Sequence, residues 1–321
     1  MASNVSTVQG TILMLRKDKP LVVLSLFDGI SCGLQALKNQ GFIIDKYFAS
    51  EIDKNAIKVS EDNHPEIIRL GDVTTVGFKN GSLYSENGSW DIGQVDLVLA
   101  GSPCQGFSMA GKQLNFDDPR SKLYFEFKRI LDECRGSTSA IRLHVDFLLE
   151  NVNMKKEYIQ YIENDLTCWS LKINSRHFSA QNRPRFYWTS LIDELDKLQM
   201  DFKIESNDSP HITTILEDVD YNGVWTWPRG YNKGGTRLVD KVPCLTTSSW
   251  QHNFLVEKSD GSRRKFTPVE AERCQGLPDS YTKVLSDNQR FIVLGNCWTV
   301  PVIEHLLSFD KTLINSIEKT A

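Results

Sequence analysis

No pair of cysteines in this chain has C-x-x-C spacing, and the seven present (32, 104, 134, 168, 244, 274 and 297) are scattered. An odd, dispersed set argues against a disulfide framework and against a zinc site, so no metal is expected. Long apolar runs are missing as well. Nothing approaches bilayer length, and Val5–Leu15 is broken by Gln9 and Gly10 with no cleavage site after it, so neither a membrane span nor a secretory leader is expected. The protein is expected in the cytoplasm, or wherever its substrate lies in a cell without compartments. There is no overall excess of positive charge: 37 Lys and Arg stand against 41 Asp and Glu, a net charge of −4. Internal repeats and low-complexity tracts are absent too.

What remains is an ordinary globular composition, 40% apolar and 24% charged over 321 residues, enough for one large domain or a large and a small one. The charge is uneven. Asp193–Asp220 holds nine acidic and two basic side chains, whereas Arg229–Lys265 holds eight basic and three acidic. A basic strip on an acidic protein suits a polyanion bound along one face.

From Leu21 onward, short apolar runs alternate with helical patterns. Strands are expected at Leu21–Leu26, Tyr47–Ser50, Ile67–Leu70, Val95–Ala100 and Phe147–Glu150, with helices beginning near Leu34 and over Leu123–Cys134. Near-continuous apolar strands separated by helices imply an α/β fold, a doubly wound, mostly parallel sheet covered on both faces. After about residue 190 the rhythm changes to a smaller, loop-rich β segment, and helical patterns return at Pro268–Gln275 and Thr299–Leu313.

Ligands of such sheets bind at the carboxyl ends of the strands, and there the chain places Asp28, Glu51, Asp72, Cys104 and Glu150. The turn Phe27-Asp28-Gly29-Ile30-Ser31-Cys32-Gly33 lets backbone N–H groups and a helix start approach a ligand closely. It is not the G-x-G-x-x-G dinucleotide fingerprint. Glu51 suits ribose hydroxyls and Asp72 an adenine amino group, so the set reads as an adenosyl pocket. Cys104, on a strand-end loop between Pro103 and Gly106, is poorly placed for burial and suits a reactive thiol.

Pro103-Cys104-Gln105, Glu150-Asn151-Val152, Gln181-Asn182-Arg183-Pro184-Arg185 and Gly295-Asn296 follow the first turn in order, with Pro268–Pro278 as a further motif. With these motifs the chain resembles the DNA cytosine-5 methyltransferases over about Leu21 to Leu313. The first turn and Trp298–Ile303 look closer to the eukaryotic de novo enzymes, though the chain lacks room for their histone-reading modules; a stand-alone bacterial or phage enzyme is expected, nuclear if eukaryotic. Leu277 stands where the family commonly has Phe, and Cys32 where it commonly has Gly.

The resemblance implies a Rossmann-like, class I fold using S-adenosyl-L-methionine, with residues 20–190 as the catalytic domain, 191–264 as a target-recognition domain and 265–321 returning to the first. It implies Cys104 as the nucleophile that adds to carbon 6 of cytosine, making carbon 5 reactive. Glu150 would meet ring nitrogen 3, with a pKa raised by burial, and Arg183 and Arg185 would hold the base oxygen and a carboxylate or phosphate. Phe27, Asp28, Gly29, Ile30, Glu51, Ile52, Asp72, Val73, Leu123, Asn296 and Trp298 would hold the cofactor. Gln105, Ser108 and Gln181 would meet substrate. Recognition would fall between Arg185 and Lys265, with Arg229, Lys233, Arg237, Lys241, Arg263 and Arg264 on phosphates and Thr246-Thr247 at the loop entry. The target base, buried in double-stranded DNA, would have to flip out. A cognate restriction endonuclease and a homo-oligomer are further expected partners, the latter through Tyr124, Phe125 and Phe127 if that face is not core. Two alternatives remain open: a transfer-RNA cytosine-5 methyltransferase, whose branch departs around Pro-Cys-Gln, and a non-catalytic regulatory relative, which loses the cysteine or its surroundings.

Overall fold

The structure, a computed structural model, describes residues 17–102, 122–136, 144–193, 197, 209–217, 220–226, 234–238, 240–247 and 254–308. Its elements run β1 (Leu21–Leu26), α1 (Cys32–Asn39), β2 (Ile44–Ser50), α2 (Lys54–Asn63), β3 (Ile68–Arg69), β4 (Gly77–Lys79), β5 (Ser82–Ser85), β6 (Gly88–Asp91), β7 (Leu97–Gly101), α3 (Lys122–Arg135), β8 (Asp146–Val152), α4 (Lys156–Leu166), β9 (Ser170–Asn174), β10 (Gln181–Asn182), β11 (Pro184–Thr189), β12 (Gly223–Thr226), β13 (Arg237–Leu238), β14 (Val242–Pro243), β15 (Phe254–Glu257), β16 (Arg263–Lys265), α5 (Pro268–Cys274), α6 (Asp287–Asn296) and α7 (Val300–Leu307).

Seven strands form the central sheet in the order β3-β2-β1-β7-β8-β11-β9. The first five are parallel; β11 runs antiparallel between β8 and β9. The order turns back between β1 and β7, so loops leaving these neighbours diverge and open a crevice at their carboxyl ends. Alternation along the strands feeds two cores: Leu21, Val23, Leu97 and Leu99 face one side, and Leu24, Leu26, Val98 and Ala100 the other. This is the doubly wound α/β arrangement expected. Tyr124 and Phe127 of α3 are buried in the second core, while Phe125 stays exposed, so most of that aromatic face is core.

Local chemistry sets the helix starts. Asp53 caps α2 by accepting from the N–H groups of Asn55 and Ala56 at 2.8 and 3.0 Å. Thr267 and Glu270 form a reciprocal capping box on α5, with Pro268 at its first position. The β segment after residue 190 appears as the four-stranded antiparallel sheet β13-β12-β15-β16. Its Val224, Phe254 and Val256 share one apolar cluster with α5, α6 and α7. No helix among the described residues is long and apolar enough to cross a membrane.

Candidate active site

The turn after β1 is built from left-handed backbone: Phe27, Gly29 and Ser31 have φ of 59°, 58° and 62°. For Phe27 and Ser31, which carry a Cβ, this costs about 1–3 kcal/mol each and persists only where surroundings enforce it. The enforcing bonds are visible. Asp28 N–H donates to the Ser50 carbonyl at 3.1 Å, and Gly29 N–H donates to Glu51 at 2.8 Å. Glu51 also accepts from the N–H groups of Ile52 and Asp53, both at 2.8 Å, so three backbone bonds fix its carboxylate.

A cavity of about 480 Å³ opens beside this turn, at the carboxyl ends of β1, β2, β7 and β8. Phe27, Gly29, Ile30, Glu51, Ile52 and Asn296 line it, as do Glu150, Arg183 and Arg185. Ile52 is an apolar side chain left 70% exposed at this wall. A smaller hollow sharing several of these walls adds Asp28 and Trp298. The indole of Trp298 packs against Gly101, where a Cβ would sit 2.6 Å from its Nε1, which explains the glycine at the end of β7.

Asp28 points beneath the turn, not into the main cavity. Tyr47 donates to it at 2.8 Å and Ser31 also donates, with Arg69 Nη1 at 3.7 Å. Burial pushes its carboxyl up, and these partners oppose the shift. Asp72, Val73 and Leu123, expected at the cofactor, are not among the cavity's described walls. Asp72 instead caps a short 3-10 turn, accepting from Thr74 N–H at 2.9 Å.

The two arginines of the Gln-Asn-Arg-Pro-Arg motif part company. Arg185 places Nε 2.9 Å from Oε1 of Glu150. Arg183 is buried and spends its guanidinium on backbone carbonyls, those of Leu245 (3.0 Å), Gly295 (3.2 Å) and Cys297 (2.9 Å). It ties the backbone at Leu245 to the end of α6. Gln181 is wholly buried with both amide ends engaged: it accepts from Leu245 N–H at 2.7 Å and donates to Gln275 at 3.1 Å. These bonds hold the architecture around the cavity and differ from the substrate contact expected of it.

Two residues to which the sequence assigns no role meet at the end of β7. Asn151 donates to Ser102 Oγ at 2.9 Å, both buried. That bond anchors the end of β7 two positions before Cys104. Cys104 itself, with Gln105, Ser108, Arg229 and Lys233, lies outside the described residues. Of the other basic candidates, Arg237 donates to the Asn222 carbonyl, and Lys241 to the carbonyls of Ser179 and Pro210. Arg263 pairs with Glu257 at 2.7 Å and lies over the Trp225 ring, while Arg264 pairs with buried Glu270 at 2.6 Å. The Thr246-Thr247 peptide packs against Gly295, where any Cβ would run into it.

The sequence matches the family model described as C-5 cytosine-specific DNA methylase over residues 21–254 and 221–309. Among curated relatives, type II methyltransferase M1.ScrFI of Lactococcus lactis subsp. cremoris is 30% identical, over 95% of this chain and 81% of the relative. Type II methyltransferase M.NlaX of Neisseria lactamica is 29% identical over 92% of this chain and 97% of its own. Among solved structures, Dnmt2 of S. pombe covers 92% of this chain and 99% of its own, with a TM-score of 0.62 at 18% identity. DNMT2 of Spodoptera frugiperda gives a TM-score of 0.58 at 19% identity, over 89% and 98%. These two show the shared fold. The full-length match to the family model and to the Lactococcus relative settles the assignment: this chain belongs to the C-5 cytosine-specific DNA methylase family.

Proposed function

We propose that the cavity at the carboxyl ends of β1, β2, β7 and β8 carries the family's reaction, methylation of carbon 5 of a flipped-out cytosine in double-stranded DNA. The observation that supports it best is the sharing of one cavity by two sets of groups. The strained Phe27–Ser31 turn and Glu51 form one wall, and the Glu150–Arg185 pair forms another. A carboxylate fixed by three backbone bonds, an apolar Ile52 and the Phe27 ring suit a ligand with sugar hydroxyls and a planar base. S-adenosyl-L-methionine fits that description, and when bound it supplies an electrophilic methyl group.

The chain's own residues prepare the base. The Cys104 thiolate adds to carbon 6, moving ring electrons so that carbon 5 becomes nucleophilic. Glu150, acting in its protonated form, gives a proton to ring nitrogen 3 as the thiolate adds and takes it back when the ring is restored, with Arg185 holding the carboxyl in place. Once carbon 5 is methylated, solvent water takes its proton, and the electrons of that bond expel the thiolate and restore the aromatic ring. Asn151, through Ser102, fixes the strand end that leads to the thiol. Residues 20–190 serve as the catalytic domain and 191–264 as the target reader, with 265–321 closing back on the first. The relatives named above are bacterial type II methyltransferases; a cytoplasmic enzyme acting on DNA beside a cognate restriction endonuclease follows from that likeness.

The test is methyl transfer from labelled S-adenosyl-L-methionine to unmethylated plasmid DNA, with transfer RNA in parallel and Cys104→Ala as control. Label at cytosines of one fixed sequence, absent in the variant, is the expected result. Label on transfer RNA alone, or none, overturns the proposal.

A further inference from the structure

Beneath the cofactor turn runs a chain of hydrogen bonds that the motif reading does not use. Tyr281 donates its hydroxyl proton to the Ile30 carbonyl at 2.9 Å. That hydroxyl also lies 3.0 Å from Nε2 of His64, whose Nδ1 lies 2.9 Å from Lys38 Nζ. A phenol has one proton, and Ile30 takes it, so His64 must donate from Nε2. Its Nδ1 is then bare and accepts from Lys38. The direction is therefore fixed from end to end: Lys38 to His64 to Tyr281 to the Ile30 carbonyl. His64 and Tyr281 are both buried. Burial first, then the Lys38 charge, push the imidazole down to about 4, which keeps it neutral and in this one tautomer at ordinary pH.

Ile30 sits between Gly29 and Ser31, both left-handed, and lines the cavity. Its carbonyl accepts the buried Tyr281 hydroxyl, a hold from outside on a turn whose strain needs one. We infer that Tyr281, oriented by His64, is a positioning residue that locks the Phe27–Ser31 turn in its cofactor-binding shape. The inference rests on the reading of this cavity as the S-adenosyl-L-methionine site. The bond reaches the turn from 251 positions along the chain, so the segment after α5 bears on the affinity of a pocket in which it supplies no wall.

Without the bond the turn relaxes part of the time, and apparent affinity falls with the competent fraction. Tyr281→Phe removes only the hydroxyl. The expected result is a roughly five- to tenfold rise in both Kd and KM for S-adenosyl-L-methionine, the size of one ordinary hydrogen bond, with kcat within about twofold of the parent. His64→Ala should weaken binding in the same direction and add nothing on top of Tyr281→Phe. His64→Gln, whose amide still donates where Nε2 did, should restore near-parent affinity. The measurements are calorimetric titration of the full chain with S-adenosyl-L-methionine and steady-state methylation, with melting curves to verify folding. Unchanged affinity in Tyr281→Phe and His64→Ala, with only melting points lowered, makes the chain of bonds structural and overturns the inference. If the parent protein itself fails to bind S-adenosyl-L-methionine, the site reading falls instead.

Discussion

Arg185 reaches diagonally across two antiparallel strands to Glu150: Tyr187, not Arg185, stands opposite Glu150 in the register of β11 and β8, yet Nε lies 2.9 Å from the carboxylate. Both side chains are nearly buried, at 14% and 11% exposure, so each depends on the other to offset its desolvation.

Removing Arg185 should therefore leave Glu150 unpaired and misplaced. Arg185→Ala is expected to lower kcat by roughly 10²–10⁴-fold, the range for losing an acid–base group, with affinity for S-adenosyl-L-methionine little changed. Arg185→Lys should recover only part of the loss, because an ammonium keeps the charge and loses the planar fork. Steady-state rates with calorimetric binding check both statements.

Asn151 and Ser102 call for a finer test. Ser102→Ala strands the Asn151 amide in a buried position, at a cost of about 1–3 kcal/mol. A drop in kcat of roughly tenfold, about 1.4 kcal/mol of activation free energy, is expected as the strand end before Cys104 loosens. A variant that melts lower and turns over at the parent rate would remove this bond from the account.

Gly295 is a packing position. A methyl group there meets the Thr246-Thr247 peptide, so Gly295→Ala must displace that peptide or α6. Destabilisation of about 1–3 kcal/mol is expected from denaturant melts, the usual cost of overpacking, together with weaker DNA binding.

The strands that were legible in the sequence are those buried on both faces. LVVLSL appears at Leu21–Leu26 as expected, and the runs at β7 and β8 differ from expectation only at their ends. β2 begins earlier, at Ile44, because Ile44-Asp45-Lys46 is a half-exposed entry with no apolar run. The hairpins β4–β6 are not legible, since GFK, SLYS and GSWD carry too few apolar residues to show a period, and in α6 the apolar residues form one block, FIVL, with no helical spacing. At the site, motifs marked Glu51, Glu150 and Arg185. They could not show that Arg183 would spend its donors on carbonyls up to 114 positions away, nor that Tyr281 would hold Ile30 from 251 positions away. Such pairings are made by the fold, and no local pattern encodes them.

Acid should reveal His64. Its folded pKa, about 4, lies below the ordinary 6.5, so the unfolded chain takes up this proton more readily than the native one. The contribution is present above pH 6.5 and is lost as pH falls through about 4. His64→Gln should remove that component, flattening the stability curve between these values relative to the parent in denaturant melts across pH.

The central claim is covalent attack by Cys104 on a flipped cytosine, and DNA carrying 5-fluorocytosine at the target site tests it most directly. With fluorine at carbon 5, no proton can leave after methyl transfer, and the thiolate cannot be expelled. The account predicts a protein–DNA adduct that survives denaturing electrophoresis, requires S-adenosyl-L-methionine and is absent in Cys104→Ala. Methylation of ordinary cytosine by the Cys104→Ala variant, or methylation by the parent with no trapped adduct, would contradict it.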